Sequence, residues 1–418
     1  MIDMRMSPNL ALNQLVAERQ KAGEPLLHLG FGESRLPPFE PLMARLTAGA
    51  VRNGYGPVAG SPSVLAAGAG YFERRGLPTA PEQIVVAPGS KPLLMAINLV
   101  VPGDVLLPRP AWNTYVPQAN LAGKKAIAVP IPAECGGVPD PDLLLEHISA
   151  ARMLGHDPRM IVLTLPDNPT GTTVTPRTVV RLCEIAEEHG LLIVSDEIYR
   201  DVLHDPDTPF LSPAEVAPDR TVITTGLSKS LSLGGWRIGM ARFPEGPWGE
   251  MLREGVASAA SEVWSTLAQP MQEVAEYGFA EPQDVRDRMR ASARLHGIVA
   301  REVYRFCVAA GAEVRPPTGA FYVYPDFEPL REKLTGHGVT DSPTLARSIL
   351  DRFGVVVLAG HHLGDDWKAL RFKMATSMLY GDTTEEQQQA LDAADPLALP
   401  HVRKNLDRIE ESMMRLAE

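Results

Sequence analysis

The middle of the chain alternates short apolar runs with amphipathic stretches of helical length. Five runs rich in β-branched residues follow one another: IVV at 84–86, VLL at 105–107, IVLTL at 161–165, LLIV at 191–194 and TVITT at 221–225. One intervening stretch, VTPRTVVRLCEIAEEHG, has the apolar spacing of a helix and ends at Gly190. Short strands that are apolar on both faces and alternate with helices are typical of a mainly parallel sheet covered on both sides. The pattern therefore predicts an α/β fold.

The two ends of the chain have a different pattern. Ser7-Pro8 predicts the start of an N-terminal helix, because Pro is favoured at the first helical position. Residues 270–310 predict one long helix, and the segments 319–325 and 355–360 predict a pair of short strands. A further strand around LRFKMAT (370–376) and a polar closing helix follow. This region predicts a second, smaller α+β domain, which a length of 418 residues also favours.

Composition narrows the setting of the protein. Apolar residues make up 44% and charged residues 22%, as in ordinary globular proteins. The chain has no apolar run of about 18 residues, and its N-terminus lacks the apolar region of a secretion signal. Three widely spaced cysteines, Cys135, Cys183 and Cys307, indicate a reducing compartment and buried thiols. Together with a net charge of −11, these features predict a cytoplasmic protein without a nucleic-acid or membrane partner.

Residues that can carry chemistry follow each of the five apolar runs. In strand order they are Ser90 and Lys91, Trp112, Asn168, Asp196 and Tyr199, and finally Ser228 and Lys229. In a doubly wound sheet the carboxyl ends of the strands meet on one rim, where ligands bind. The sequence therefore predicts a ligand site at this rim.

The residues at this rim meet the needs of pyridoxal 5'-phosphate (PLP), a planar aldehyde cofactor with a phosphate. The amine of Lys229 can react with the aldehyde. The carboxylate of Asp196 can keep the pyridine nitrogen protonated, so that the ring withdraws electrons. A helix that starts at Ser90 and the guanidinium of Arg237 suit the phosphate.

Three further residues suit the cofactor ring. Asn168 and Tyr199 can donate hydrogen bonds to the ring oxygen, and Trp112 can stack on the ring face. Each of these residues alone has an ordinary structural explanation, such as a turn for Asn168 or the core for Trp112. The order in which all of them follow the strands favours the cofactor site.

Five segments in this order resemble the class I and II aminotransferases, which are PLP enzymes of fold type I related to aspartate aminotransferase. They are PAWNTY (110–115), PDNPTG (166–171), SDEIY (195–199), GLSKSLSLGGWRIG (226–239) and LRFKMATS (370–377). The resemblance implies a large domain with a mainly parallel seven-stranded sheet covered by helices, and a smaller α+β domain. We accordingly predict an N-terminal segment at 1–45 that packs with the small domain, a large PLP-binding domain at 46–290 and a small domain at 291–418.

The resemblance also implies a role for each matching residue. Lys229 would hold PLP as a Schiff base and move the proton of the substrate Cα, so that the catalytic set would be Lys229, Asp196 and Tyr199. The implied cofactor-binding residues are Ser90, Lys91, Trp112, Asn168, Asp196, Tyr199, Ser228, Lys229 and Arg237, joined by Tyr55 from the second subunit of a homodimer. The implied substrate-binding residues are Gly32, Asn168 and Arg371, of which Arg371 would bind the α-carboxylate. No metal is implied.

The implied activity is transfer of an amino group between an L-amino acid and a 2-oxo acid, both small molecules of amino acid metabolism or biosynthesis. A PLP lyase, cyclase or oxidase of a specialised pathway is the alternative, because the same cofactor supports those reactions. A non-catalytic regulator that keeps the fold is disfavoured by the presence of Lys229. The adjacent His361 and His362 lack the spacing of a zinc site.

Two positions near the predicted site bear on its details. Related enzymes often have Ser three residues before the lysine, whereas this chain has Gly226, so that Thr225 or Ser228 could take over a phosphate contact. Glu33 follows Gly32 in the loop that usually lines the substrate entrance of such enzymes. Its charge would repel an acidic side chain, which predicts a neutral or basic amino acid as substrate.

Overall fold

The computed structural model describes residues 7–132, 136–416 and 418. Its strands are β1 (Leu27–His28), β2 (Ile84–Ala87), β3 (Asp104–Arg109), β4 (Ala126–Pro130), β5 (Pro158–Thr164), β6 (Leu192–Asp196), β7 (Thr221–Gly226), β8 (Gly239–Arg242), β9 (Tyr322–Val323), β10 (Val355–Val356), β11 (Leu358–Ala359) and β12 (Phe372–Ala375).

The helices alternate with these strands in the first half of the chain and dominate the second half. They are α1 (Pro8–Lys21), α2 (Glu40–Gly49), α3 (Pro62–Glu73), α4 (Ser90–Val100), α5 (Tyr115–Leu121), α6 (Pro141–Met153), α7 (Pro176–Glu188), α8 (Pro213–Val216), α9 (Leu227–Ser230), α10 (Pro247–Val263), α11 (Gln269–Ala280), α12 (Gln283–Ala309), α13 (Arg331–Gly336), α14 (Ser342–Phe353), α15 (Thr384–Asp392) and α16 (Pro400–Leu416).

Seven strands of the described chain form the central sheet, in the order β2-β8-β7-β6-β5-β3-β4. β8 is antiparallel to both of its neighbours, and the other adjacent strands are parallel. α6 illustrates how a helix of this fold begins. Its first residue is Pro141, and the side chain of the preceding Asp140 accepts hydrogen bonds from two backbone N–H groups of the first turn. The predicted α/β fold with a mainly parallel seven-stranded sheet is confirmed.

The apolar pattern located five of these strands and missed β4 and β8. β4 lies at the edge of the sheet and is partly exposed, and its sequence AIAVP has two alanines and a proline in place of a continuous run of β-branched residues. β8 is buried but contains Arg242, whose guanidinium donates to Thr79 Oγ1 and to the carbonyl of Pro78. Because these acceptors lie far away in the sequence, the local pattern did not indicate a buried strand.

The central strands are buried on both faces. Along β3, Val105 and Leu107 pack in an apolar cluster with α4 and α10, whereas Leu106 between them packs with α6 and α7. Cys183 and Cys307 are buried as predicted, and Cys135 lies outside the described residues. Among the described helices, none combines the length and the apolar character that crossing a membrane requires.

The carboxyl-terminal part of the chain contains two smaller sheets. β12 lies between β11 and β9 and is antiparallel to both, while β1 pairs in parallel with β10. The segments 319–325 and 355–360 contain short strands as predicted, but these strands do not pair directly with each other. β12, the strand formed by LRFKMAT, lies between β9 and β11 and forms hydrogen bonds with one of them on each of its edges.

The predicted single helix over 270–310 is also wrong. α11 ends at Ala280, and α12 begins at Gln283. Glu281 adopts a left-handed φ of 50° directly before Pro282. Because a proline disfavours helical geometry in the residue before it, the helix breaks at this point. α12 then continues through position 290, where we predicted the boundary between the large and the small domain. The predicted domain boundaries remain predictions.

Candidate active site

The carboxyl ends of the parallel strands β3, β5, β6 and β7 meet on one rim of the sheet, and the antiparallel β8 begins there. A cavity of about 340 Å³ lies at this rim, a volume suited to a small ligand. The predicted residues that line it are Gly32, Ser90, Lys91, Trp112, Asn168, Asp196, Tyr199, Ser228, Lys229 and Arg237. The structure brings these residues together, but Tyr55 and Arg371 are not in the cavity wall.

One end of the cavity, formed by Ser90, Lys91 and Arg237, is suited to an anion. Ser90 begins α4, and the first N–H groups of a helix attract negative charge. The preceding Gly89 has a φ of 89°, and a Cβ there would lie 2.2 Å from Nη2 of Arg237. Burial lowers the pKa of Arg237 and of Lys91, and the charge of Arg237 lowers the pKa of Lys91 further. Within the described chain neither side chain has a carboxylate at ion-pair distance, so a phosphate would supply the missing charge.

The cavity wall also contains the buried carboxylate of Asp196. In the sheet register it lies between Thr164 and Thr224. Thr224 Oγ1 donates to Oδ1 at 3.2 Å, and the hydroxyl of Tyr115 donates to Oδ2 at 2.8 Å. Burial raises the pKa of Asp196 to about 6, although the hydrogen bonds from Tyr115 and Thr224 act in the opposite direction. Each oxygen thus accepts a hydrogen bond from a hydroxyl, and the carboxylate retains lone pairs for a ring N–H.

Lys229 lies in α9 directly after β7, and its Nζ donates a hydrogen bond to the carbonyl of Gly32. Burial lowers the pKa of Lys229 to about 8, although the charge of Glu33 opposes this shift. A lysine whose pKa is lowered by burial has more of the neutral amine that acts as a nucleophile. The geometry therefore gives Lys229 the properties that bonding to an aldehyde requires.

Aromatic and amide side chains complete the cavity wall. The Nζ of Lys229 lies 5.7 Å from the centre of the Tyr199 ring, and the hydroxyl of Tyr199 lies 2.6 Å from that of Tyr322. Trp112 is partly buried and packs edge-on against Tyr115 with ring centres 5.4 Å apart. These side chains provide the flat surface and the hydroxyl donors that a planar, polar ring needs.

The structure does not bring Arg371 into the cavity. Its Nε lies 2.7 Å from a carboxylate oxygen of Asp326, and its Nη1 lies 3.3 Å from Asp365. Burial lowers the pKa of Arg371, but the charges of Asp365 and Asp326 outweigh it and raise the pKa. Because two carboxylates already neutralise this guanidinium, the structure does not support its expected contact with the substrate. Lys373, two residues further along, lines the cavity instead.

Tyr55 is also remote from the cavity of its own chain. It lies in the segment between α2 and α3, and its side chain is 92% exposed. A contact between Tyr55 and a cofactor would therefore need a second subunit.

The sequence departure at Gly226 has a packing explanation. A Cβ at this position would lie 2.5 Å from the carbonyl oxygen of Ile238, so that a serine would not fit between β7 and the start of β8. Thr225 does not replace such a serine, because it is buried and its hydroxyl donates to the carbonyl of Glu197. Ser228 lines the cavity and is the hydroxyl that remains available for a phosphate.

The His361 and His362 side chains lie away from the cavity, with ring centres 3.9 Å apart. The Nδ1 of His361 lies 2.8 Å from the hydroxyl of Ser342. Among the described residues, no group of three or more His, Cys, Asp or Glu side chains is arranged to hold a metal ion.

Sequence reasoning missed several residues of the site. They are Tyr115, Thr164 and Thr224 around Asp196, and Tyr322 and Lys373 on the cavity wall. Two of them left a signal, because Tyr115 ends the PAWNTY segment and Lys373 is a charged residue inside an apolar strand. The others are ordinary strand or core residues in the sequence.

Comparison with known proteins identifies the family. The sequence matches the family model described as aminotransferase class I and II over residues 24–393. The chain belongs to the class I and II aminotransferases. The aspartate/prephenate aminotransferase of Thermus thermophilus is 30% identical over 342 residues, which cover 78% of this chain and 83% of the relative. The aspartate/prephenate aminotransferase of Cereibacter sphaeroides is 30% identical over 377 residues, which cover 86% of this chain and 90% of the relative.

The structure of this aminotransferase resembles solved structures along nearly its whole length. An aspartate aminotransferase from Thermus thermophilus with maleate matches it with a TM-score of 0.81 at 26% identity, and the match covers 98% of this chain and 97% of the other. The chain is a PLP-dependent enzyme that transfers amino groups, which confirms the predicted family, cofactor and reaction class. The residues of the cavity fit this cofactor, because its wall contains cations without a carboxylate partner and a carboxylate held by two hydroxyl groups.

Proposed function

We propose that Lys229 binds the cofactor and moves the Cα proton when this enzyme transfers an amino group between an L-amino acid and a 2-oxo acid. Bound PLP would supply an electron-withdrawing ring that stabilises negative charge at Cα of the amino acid. The position of Lys229 carries this proposal, since its amine lies in the cavity wall and its pKa is lowered to about 8 by burial. An amine with this pKa can accept the Cα proton near neutral pH.

The other cavity residues hold the cofactor in a fixed orientation. Asp196 accepts a hydrogen bond from the ring nitrogen, and its carboxylate is oriented for this by Tyr115 and Thr224. The phosphate would be held by Ser90, Lys91, Ser228 and Arg237. The ring oxygen would accept hydrogen bonds from Asn168 and Tyr199, and Trp112 would contact the ring face.

A half-reaction experiment tests this function. Single amino acids are added to the purified holoenzyme, and the absorption of the lysine-bound cofactor is followed. We expect conversion to pyridoxamine phosphate and release of the matching 2-oxo acid, and we expect a second 2-oxo acid to reverse the change. Release of ammonia without pyridoxamine phosphate would contradict amino transfer and favour a lyase.

The cavity further favours an amino donor with a neutral or basic side chain. Glu33 lines the cavity, and its carboxylate is only weakly compensated by Arg35, whose Nε is 3.9 Å away. Leu10, Phe31 and Ile198 add apolar surface to the wall. Two relatives are named for aspartate and prephenate. In this chain the negative charge of Glu33 would repel an acidic donor such as aspartate.

Half-reaction rates test the donor class. We expect phenylalanine and arginine to react faster than aspartate in the wild-type enzyme, and we expect Glu33→Gln to narrow this difference. Faster reaction of aspartate in the wild-type enzyme would overturn the proposed donor class.

We also propose that the enzyme is a cytoplasmic homodimer in which Tyr55 reaches the phosphate of the other subunit. Val51, Tyr55 and Val263 are 84%, 92% and 68% exposed. The two segments that carry them are in contact, because Thr266 Oγ1 donates a hydrogen bond to the carbonyl of Pro57. A second copy would remove these large apolar side chains from water.

Mixed dimers test the proposed contribution of Tyr55. Lys229→Ala and Tyr55→Ala each damage both sites of their own homodimer. A mixed dimer would contain one site with both changes and one site with neither, so mixing the two variants should restore activity. Light scattering gives the mass of the assembly, and a monomer, or mixed samples without restored activity, would refute the shared site.

A further inference from the structure

Lys373 is a cation in the cavity that the proposed cofactor contacts do not use. It belongs to β12, its residue is only 1% exposed, and it lines the cavity together with Asn168 and Tyr322. Lysine is rarely buried to this extent without a partner, because the charged form loses its hydration. The position therefore indicates that an anion from outside the chain completes it.

The contacts of Lys373 within the chain are polar but leave its charge uncompensated. Its Nζ lies 3.5 Å from Oδ1 of Asn168 and 4.8 Å from the centre of the Tyr322 ring. No carboxylate of the described chain lies at ion-pair distance from it. The ammonium group thus has donor capacity left for a ligand.

Arg371 differs from Lys373 although both belong to the same segment. The guanidinium of Arg371 is held by Asp326 at 2.7 Å and by Asp365 at 3.3 Å, outside the cavity. Binding a substrate carboxylate with Arg371 would require breaking these ion pairs. Lys373 needs no such rearrangement.

We propose that Lys373, beside the amide of Asn168, binds the α-carboxylate of the substrate, and that Arg371 has a structural role. This rests on the proposed function, in which the substrates are amino acids and 2-oxo acids. Both substrate classes carry a carboxylate next to the reacting carbon, so one cation on the cavity wall serves both half-reactions.

Recognition by a lysine makes substrate binding depend on pH. Burial lowers the pKa of Lys373 to about 7, the charge of Lys229 lowers it further, and the charge of Asp167 opposes these effects. Tyr322 also faces Lys373 and remains neutral, because burial raises its pKa above the ordinary value. The ammonium form binds the carboxylate, so affinity for the carboxylate falls as pH rises above about 7.

A comparison of matched ligands measures this interaction. The dissociation constant of the fastest amino acid in the half-reaction screen is compared with that of the amine obtained by removing its carboxyl group, both read from the cofactor absorption. The dissociation constant of the amine divided by that of the amino acid reports the contribution of the carboxylate to binding. Lys373→Met should lower this ratio roughly 10- to 100-fold, the range expected for a charge-assisted hydrogen bond. Retention of cofactor absorption after gel filtration shows that the variant still folds and binds PLP.

Arg371→Lys is the matched control, because it keeps the charge next to Asp326 and Asp365 but shortens the reach. It should leave the ratio unchanged. An unchanged ratio in Lys373→Met, or a loss of the ratio in Arg371→Lys instead, would overturn the proposal.

The conservative variant Lys373→Arg tests the pH dependence. In the wild-type enzyme the ratio should fall as pH rises through about 7, where the amines of both ligands stay protonated and so do not contribute to the change. An arginine stays protonated, so the ratio should become independent of pH in this variant. A flat profile in the wild-type enzyme would contradict recognition by Lys373. An enzyme that discriminates the two ligands but forms no pyridoxamine phosphate would refute amino transfer and leave carboxylate recognition intact.

Discussion

Two groups of buried charges in this enzyme are built in opposite ways. In the cavity, the cations Lys91, Lys229, Arg237 and Lys373 lack a carboxylate at ion-pair distance within the described chain. In a second group, which we call the Arg75 cluster, Tyr71, Arg74, Arg75, Asp201 and Glu281 pair with one another. Both groups lie close to the same sheet, yet only the cavity contains charged side chains without an oppositely charged partner in the described chain.

The Arg75 cluster joins elements that are distant in sequence. Arg75 follows α3, Asp201 follows β6, and Glu281 follows α11. The guanidinium of Arg75 lies 2.5 Å from a carboxylate oxygen of Asp201 and 2.5 Å from one of Glu281. Burial lowers the pKa of Arg75, but these two charges outweigh it and raise the pKa. The cluster is therefore satisfied without any ligand.

The cavity shows the reverse behaviour. Burial lowers the pKa of Lys229 to about 8 and that of Lys373 to about 7. Groups whose charged form is destabilised in this way are frequent at functional sites, because a ligand or a reaction supplies what the protein leaves out. The difference separates charges that stabilise the fold from charges that perform chemistry.

Removing the central lysine of the cavity should have the largest effect. Lys229→Ala should lower the rate of the amino acid half-reaction by about 10⁴-fold, since both the amine that binds the cofactor and the base are lost. Stopped-flow absorption measures the rate. Added methylamine should restore part of it, and a rate close to that of the wild-type enzyme would contradict the assignment.

Removing the central charge of the Arg75 cluster should affect stability instead. Arg75→Met leaves Asp201 and Glu281 buried without their partner, which should lower the free energy of unfolding by about 3–5 kcal/mol. Urea denaturation measures this loss. At low temperature, where the variant is folded, its half-reaction rate should stay near that of the wild-type enzyme, and a large loss of rate would connect the cluster to the chemistry.

The lowered pKa of Lys229 should appear in the binding of the cofactor. The neutral amine reacts with the aldehyde, so the rate of PLP incorporation into apoenzyme should rise about tenfold per pH unit below a pH of about 8 and then level off. Absorption of the lysine-bound cofactor measures the rate. A blocked lysine in solution serves as the comparison, and its rate should keep rising up to its pKa of about 10.4 before it levels off. An enzyme rate that keeps rising up to that same pH would show that the cavity does not shift the pKa of Lys229.

Replacing the unpaired Lys373 should raise the free energy of unfolding, whereas replacing the paired Arg75 should lower it. Burial lowers the pKa of Lys373 to about 7, so between that pH and its ordinary pKa the unfolded chain binds more protons than the folded chain. The lysine therefore lowers stability most at or below pH 7, and Lys373→Met should raise the free energy of unfolding there by about 1 kcal/mol. Urea denaturation of the apoenzyme at pH 7 and pH 9 measures the gain, which should shrink at the higher pH. A loss of stability would indicate a structural role.

How much of the site could be predicted depended on where each residue lies. Lys229, Asp196, Asn168 and Trp112 follow apolar strands, and parallel strands bring such residues to one rim whatever the rest of the chain does. Tyr115 was missed although it ends the PAWNTY segment, because its hydroxyl reaches Asp196 across 81 residues of sequence and the segment does not indicate that contact.

The sequence by itself determined the alternation of strands and helices, the order of residues at the strand ends, the family and the cofactor. Only the tertiary structure shows that Lys373 lines the cavity and that Arg371 does not. Side chains two residues apart in a strand point to the same face, so the periodicity of LRFKMATS cannot choose between them. Asp326, 45 residues away, and Asp365 neutralise Arg371 outside the cavity, so that Lys373 is the residue of this pair that lines the cavity.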